Sequence, residues 1–191
     1  MADFIYKVEF FSDWHCGSGL SSGTDTDQLV IKDRVGFPFI PGKTIKGVLK
    51  DSAQTLRDCG FIPDKFISEI FGLDANGSEK GDESIASVAG KAFFSNAELT
   101  DYLKKSIADD EDYFYRKIAS TAIEGNGQAK EHSLRKTEVT IPLALFGKIV
   151  GIDSSDVENL AMCMKFTKRM GTGRNRGFGR CDISIFQEVK E

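Results

Sequence analysis

The chain predicts an α+β fold whose elements run strand, helix, strand, strand, helix, strand. Three observations carry this. Phe4, Tyr6, Val8 and Phe10 alternate with Ile5, Lys7 and Glu9 near the start, and Cys181, Ile183 and Ile185 alternate near the end. Ile45, Val48, Leu49, Ala53 and Leu56 recur at helical spacing. A second helical stretch, with Val157, Leu160, Ala161 and Met164 on one face, precedes the final strand. The order is ferredoxin-like, equally described as RRM-like, with long insertions after the first strand and in the middle.

Each element has its local signals. The alternation gives a strand over 4–10. Residues 15–28 combine glycines with Ser, Thr and Asp, the composition of a long loop or twisted hairpin. Leu29 to Lys32 read as a short strand. Pro38 and Pro41-Gly42 then turn the chain into a helix over 44–58, with a shorter helix near 64–71. Residues 72–90 are rich in Gly, Ser, Asp and Glu and read as a mobile connection. A second strand follows over 91–97. From 100 to 137 the pattern is weak, and Gly125-Asn126-Gly127 suits a hairpin tip. Val139, Ile141, Leu143 and Leu145 give a strand running to about 150. Ser155 and Glu158 form a capping-box signature for the second long helix. Neither an internal repeat nor a low-complexity segment is visible, so residues 1–191 read as one domain.

Composition bounds the function. The chain has 191 residues, 40% of them hydrophobic, with 15 Phe, which is enough for a packed core. The four cysteines, Cys16, Cys59, Cys163 and Cys181, show no C-x-x-C spacing, and His15 and His132 are the only histidines. That excludes the usual zinc patterns. The start lacks the apolar core of a signal peptide, and no run reaches the length of a membrane span. The expectation is a cytoplasmic protein with reduced thiols and no membrane contact.

Net charge is −4, but it is unevenly spread. Residues 98–112 carry six acids, whereas 165–180 carry six basic residues and four glycines with no acid. Glycine lets backbone N–H groups approach a ligand, and arginine grips phosphate bidentately. The stretch therefore reads as a loop that sits on a phosphate chain, with Phe178 exposed to stack on a base. The plain alternative is a flexible turn with solvated charges. A dinucleotide fingerprint does not fit, because Gly171-Thr172-Gly173 follows a helix and enters a strand, the reverse of that motif. Lys43, Lys46 and Lys50, at helical spacing beside a helix start, suit either a phosphate or a solvated face.

Taken together, four segments resemble the CRISPR-associated RAMP superfamily, and within it the backbone subunits of type III effector complexes. They are Gly171-Thr-Gly-Arg-Asn-Arg-Gly-Phe-Gly179; Trp14-His-Cys-Gly-Ser-Gly19; Asp27-Gln-Leu-Val-Ile-Lys-Asp33 with Phe39-Ile-Pro-Gly-Lys-Thr-Ile-Lys-Gly47; and Ile123-Glu-Gly-Asn-Gly-Gln-Ala-Lys130 leading to Ser133-Leu-Arg135 and Glu138. The resemblance implies an RRM-like palm carrying a β-hairpin thumb within about 100–137. It implies partners: a guide CRISPR RNA, a paired target RNA, other effector subunits and copies of the chain itself. It also implies that an aspartate before the Val30-Ile31-Lys32-Asp33 segment is needed to cleave target RNA. Asp27 matches, and Asp25 stands close enough to share the assignment.

This chemistry is sound in itself. RNA carries its own nucleophile, the 2′-OH, so a site needs a carboxylate to take a proton or to hold a divalent metal, Mg or Mn, loosely bound at Asp27. Asp25 and Asp27 also suit ordinary turn formation. The RNA-binding candidates, from these readings together, are His15, Gly17, Gly19, Lys43, Lys46, Lys50, Lys130, Arg135, Lys168, Arg169, Gly171, Gly173, Arg174, Arg176, Gly177, Phe178 and Gly179. His15 reads as a local hydrogen-bonding group or a backbone contact rather than an acid or base. A non-catalytic cap or scaffold subunit, and an endoribonuclease that processes guide RNA, stay open as alternatives. A generic RRM lacks its aromatic RNP1 strand here.

Overall fold

The computed structural model describes residues 2–21, 26–73, 88–107 and 110–189. In chain order the elements are β1 (Ala2–Phe10), α1 (Gly42–Asp58), α2 (Asp64–Ile70), β2 (Gly72–Leu73), β3 (Val88–Ala89), β4 (Phe93–Phe94), α3 (Asp101–Ser106), β5 (Tyr115–Ser120), β6 (Arg135–Thr140), β7 (Ala144–Ile152), α4 (Val157–Phe166) and β8 (Cys181–Val189). The main sheet is antiparallel in the order β4-β7-β1-β8. Taken as the first to fourth palm strands, β1, β4, β7 and β8 with α1 and α4 give the ferredoxin-like arrangement that the sequence predicts.

Alternation decides which face of the sheet is dry. Phe4, Tyr6, Val8 and Phe10 of β1 are buried, as are Leu145, Ile149 and Ile152 of β7 and Cys181 and Ile183 of β8. They pack against Ile45, Leu49, Ala53 and Leu56 of α1 and Leu160, Cys163 and Met164 of α4. Burial pushes the thiols of Cys163 and Cys181 up to about 12, so both behave as small apolar groups. The Tyr6 hydroxyl donates to the Ser95 carbonyl at 2.8 Å, which satisfies the polar end of a fully buried ring. Its ring lies where a side chain at residue 147 would go, so only Gly147 fits there.

Several expectations change. The strand read over 139–150 is two strands. Pro142 has no N–H, so β6 ends at Thr140 and β7 starts at Ala144. The first piece belongs to a separate hairpin, β5–β6, and the second to the palm. The capping box is absent. A 3-10 turn over Ser154–Asp156 leads into α4, and Asp156 at the N-cap makes no side-chain cap bond. On α4, Ala161 is exposed and Cys163 takes its place in the core. The strand at 91–97 shrinks to Phe93–Phe94, continued by single bridges at Ala97 and Glu98. Leu29 to Lys32 forms isolated bridges, Gly17 to Val30 and Lys32 to Pro38, rather than a strand. The short helix α3, capped by Thr100, stands in the stretch with the weak pattern.

At the tip of the hairpin, Glu124 N–H donates to the Gln128 carbonyl and Gly127 N–H to the Glu124 carbonyl, so Gly125-Asn126-Gly127 does form the turn. The connection expected to be mobile lies mostly at 74–87, outside the described residues; its ends pair as β2 and β3. Among the described residues no helix is long and apolar enough to cross a membrane.

Candidate functional site

The site begins with residues 14–21 and 26–32, which are tied to β6 through Trp14, Asp27 and Gln28. Trp14 and Thr140 exchange backbone hydrogen bonds of 2.9 and 2.8 Å. Asp27 N–H donates to the Lys136 carbonyl at 2.9 Å, and Lys136 N–H returns a 2.7 Å bond to Asp27 Oδ2. Glu138 N–H then donates to the Gln28 carbonyl at 2.9 Å. One buried carboxylate completes the tie. Glu138, 7% exposed, accepts from Val30 N–H at 3.1 Å and from Lys32 Nζ at 2.9 Å. Lys32 Nζ also sits 3.8 Å from the centre of the Tyr115 ring on β5. The Glu138 carbonyl oxygen lies 2.7 Å from His15 Nδ1. A single residue thus pins both halves of the loop to the root of the hairpin.

The glycine loop closes the other side. Thr172 N–H donates to the His15 carbonyl at 2.9 Å and Gly179 N–H to the Asp13 carbonyl at 2.8 Å. Gly171 approaches so closely that a Cβ there would lie 2.5 Å from the His15 carbonyl oxygen. The 3-10 turn Arg174–Arg176 is bracketed by Gly173 and Gly177, with φ of 75° and 91°, values that glycine adopts without strain. This turn leaves Arg174 and Arg176 exposed. Arg169 Nη1 braces it by donating to the Arg174 carbonyl at 2.6 Å. Phe178 is half-buried rather than exposed, because its ring packs on Gly173.

Between these walls lies a cleft made of two cavities. One, of about 430 Å³, is lined by His15, Gly17, Gly19, Asp27 and Thr172 among others. The second, of about 260 Å³, is lined by Ile118 and Thr137 of the hairpin and by Gly173, Arg176 and Phe178. His15, Gln28 and Thr172 line both. Asp27 is the only carboxylate lining either cavity among the described residues.

The cleft therefore gathers His15, Gly17, Gly19, Asp27, Gly173, Arg176 and Phe178 from the predicted set. Lys43 lies elsewhere, beside a cavity of about 1050 Å³ with Phe93, Phe146 and Lys148 that shares no lining residue with the cleft. Lys46 Nζ donates to the Ala92 carbonyl at 3.3 Å; burial, then the nearby Lys50 charge, lower its pKa. Lys130 and Arg135 are exposed on the hairpin. Lys168 is held at 2.6 Å by Asp182. Asp25 lies outside the described residues. Sequence reasoning gave no role to Glu138, Gln28 or Thr172. The signal at Glu138 is its place at the end of the segment from Ile123 that resembles the family.

The model of the RAMP superfamily matches residues 7–182. Among solved structures the chain is similar to a subunit chain of the type III-B Cmr-beta complex bound to cognate target RNA. That match has TM-score 0.66 and 12% identity, and covers 95% of this chain and 96% of the other. It is also similar to a chain of the same complex in its apo state, with TM-score 0.67 and 13% identity, covering 97% of each. No curated protein matches the chain.

Proposed function

We propose, because the chain belongs to the RAMP superfamily, that it is a guide-RNA-binding subunit of a type III CRISPR effector complex and cleaves the paired target RNA. The observation that carries this reading is the convergence of Asp27, His15, the glycine loop and the hairpin on one cleft. The hairpin is the thumb and the four-stranded sheet the palm. Exposed Arg174 and Arg176 take phosphates of the guide, while the thumb presses on the guide–target duplex.

The reaction is in-line transesterification. The 2′-oxygen bonds to the adjacent phosphorus, the bond from phosphorus to the 5′-oxygen breaks, and the hydroxyl proton leaves toward a base. The products are a 2′,3′-cyclic phosphate and a 5′-hydroxyl. Asp27 is the carboxylate in place to receive that proton. It is also the residue that would hold a hydrated Mg or Mn ion, which needs few carboxylates and would neutralise developing charge.

The test is Asp27→Asn in the assembled complex. The amide oxygen still accepts from Lys136 N–H, so the loop stays tied while the charge is lost. Cleavage should fall by about 10²-fold or more, with guide and target binding nearly unchanged. Asp25→Asn is the control. A target with a 2′-deoxy sugar at the scissile position should resist cutting. The alternative is a subunit that only binds, and the bond between Asp27 and Lys136 favours it by giving the aspartate a structural task. Wild-type cleavage by both variants would establish that alternative.

A further inference from the structure

His15 is the most constrained polar group in the cleft. Its residue is 4% exposed, yet it lines both cavities. The partner of Nδ1 is a carbonyl oxygen, which only accepts, so Nδ1 carries the proton and donates. In the neutral imidazole Nε2 then keeps its lone pair, and the bond to Glu138 is the ring's only hydrogen bond among the described residues. Gly17 leaves Nε2 open: a Cβ at residue 17 would lie 3.1 Å from it. Nε2 is therefore not sealed in the interior but opens onto the cleft, where a ligand can supply the donor.

The identity of the donor follows from the surroundings. A nitrogen lone pair repels a phosphate oxygen, so Nε2 does not serve the phosphate chain; exposed Arg174 and Arg176 do. On an RNA strand, the donor covalently closest to each phosphate is the ribose 2′-hydroxyl, and DNA lacks it. We propose that His15 Nε2, held by the Glu138 carbonyl and left uncovered by Gly17, accepts a hydrogen bond from a ribose 2′-hydroxyl and makes the cleft selective for RNA over DNA. The inference rests on the guide-RNA-binding reading above.

The experiment compares binding of the full chain to single strands of one sequence carrying ribose, 2′-fluoro or 2′-deoxy sugars. The 2′-fluoro sugar keeps the RNA-like pucker and removes the donor. Wild type should bind the ribose strand about five- to tenfold tighter than the 2′-fluoro strand, the worth of one net hydrogen bond. His15→Asn keeps an N–H for the Glu138 carbonyl and removes the acceptor at the Nε2 position. Gly17→Ala keeps the histidine and covers Nε2. Both should bring the ratio of ribose to 2′-fluoro affinity to about one. A purely structural role for His15 would weaken all strands alike and keep the ratio, which overturns the proposal. So does a wild type that treats ribose and 2′-fluoro strands equally, the outcome expected if the donor were a base N–H. Failure of wild type to bind any of the strands, alone or in its assembled complex, would instead remove the guide-RNA reading itself.

Discussion

The palm and the cleft are built from different forces. In the palm, side chains from β1, β7 and β8 interdigitate with α1 and α4, and its polar atoms are few. In the cleft, apolar packing is confined to a few anchors, among them Trp14 stacked on Phe10 and buried Val30. Residues 14–21 and 26–32 are held to β6 by backbone bonds, one buried carboxylate and one imidazole. Apolar burial is non-directional and sums over many contacts, whereas each hydrogen bond contributes only about 1 kcal/mol net and depends on geometry. The palm is therefore the source of stability. The cleft is a precise arrangement whose members can be perturbed singly.

The sharpest break in that contrast comes from Ile149→Ala. Ile149 is fully buried on β7, between β1 and β4. Truncation should cost about 2–5 kcal/mol, seen as a large drop in the urea midpoint. The protein that stays folded should bind RNA with unchanged selectivity. A cost below about 1 kcal/mol would mean that the palm is not the dominant core.

The same contrast decides what was legible in the sequence. β1, α1 and β8 are each specified by their own period, so Phe4 to Phe10 and Ile45 to Leu56 show themselves without tertiary knowledge. Cleft contacts join residues far apart: His15 and Glu138 differ by 123 positions, and Asp27 and Lys136 by 109. No local pattern encodes such pairs. Gly171 shows its purpose only when the His15 carbonyl lies against it. The boundary at Pro142 was legible but outweighed by apolar alternation running through it. The helix α3 was missed because its six residues bury no side chain, which leaves no apolar stripe to read.

A smaller effect, confined to the cleft, should follow Glu138→Gln. The amide retains an acceptor for Val30 N–H or for Lys32, and loses the charge that holds both together. The local cost should be about 1–3 kcal/mol. Hydrogen exchange should quicken at Val30, Lys136 and Glu138 while amides of β1 and β7 stay protected. Equal loosening of palm and cleft would show that they unfold as one unit, and the contrast between them would fail.

The smallest effect concerns a contact belonging to neither force. Lys168 and Asp182 meet at 2.6 Å beside the glycine loop, with side chains 59% and 44% exposed. Exposed pairs of this kind add about 0–1 kcal/mol, because water screens them and ordering two side chains costs entropy. Asp182→Asn should therefore leave the urea midpoint almost unmoved. Its consequence should appear in binding. With its carboxylate gone, Lys168 should be released toward the strand that Arg174 and Arg176 are proposed to hold, bringing one more phosphate within reach. The slope of log K against log salt for single-stranded RNA should steepen by up to about 0.7, the contribution of one contact. Loss of stability without a change in slope would make this pair a clamp on the glycine loop. It would then belong with Glu138 among the groups that shape the cleft, and not with those that meet RNA.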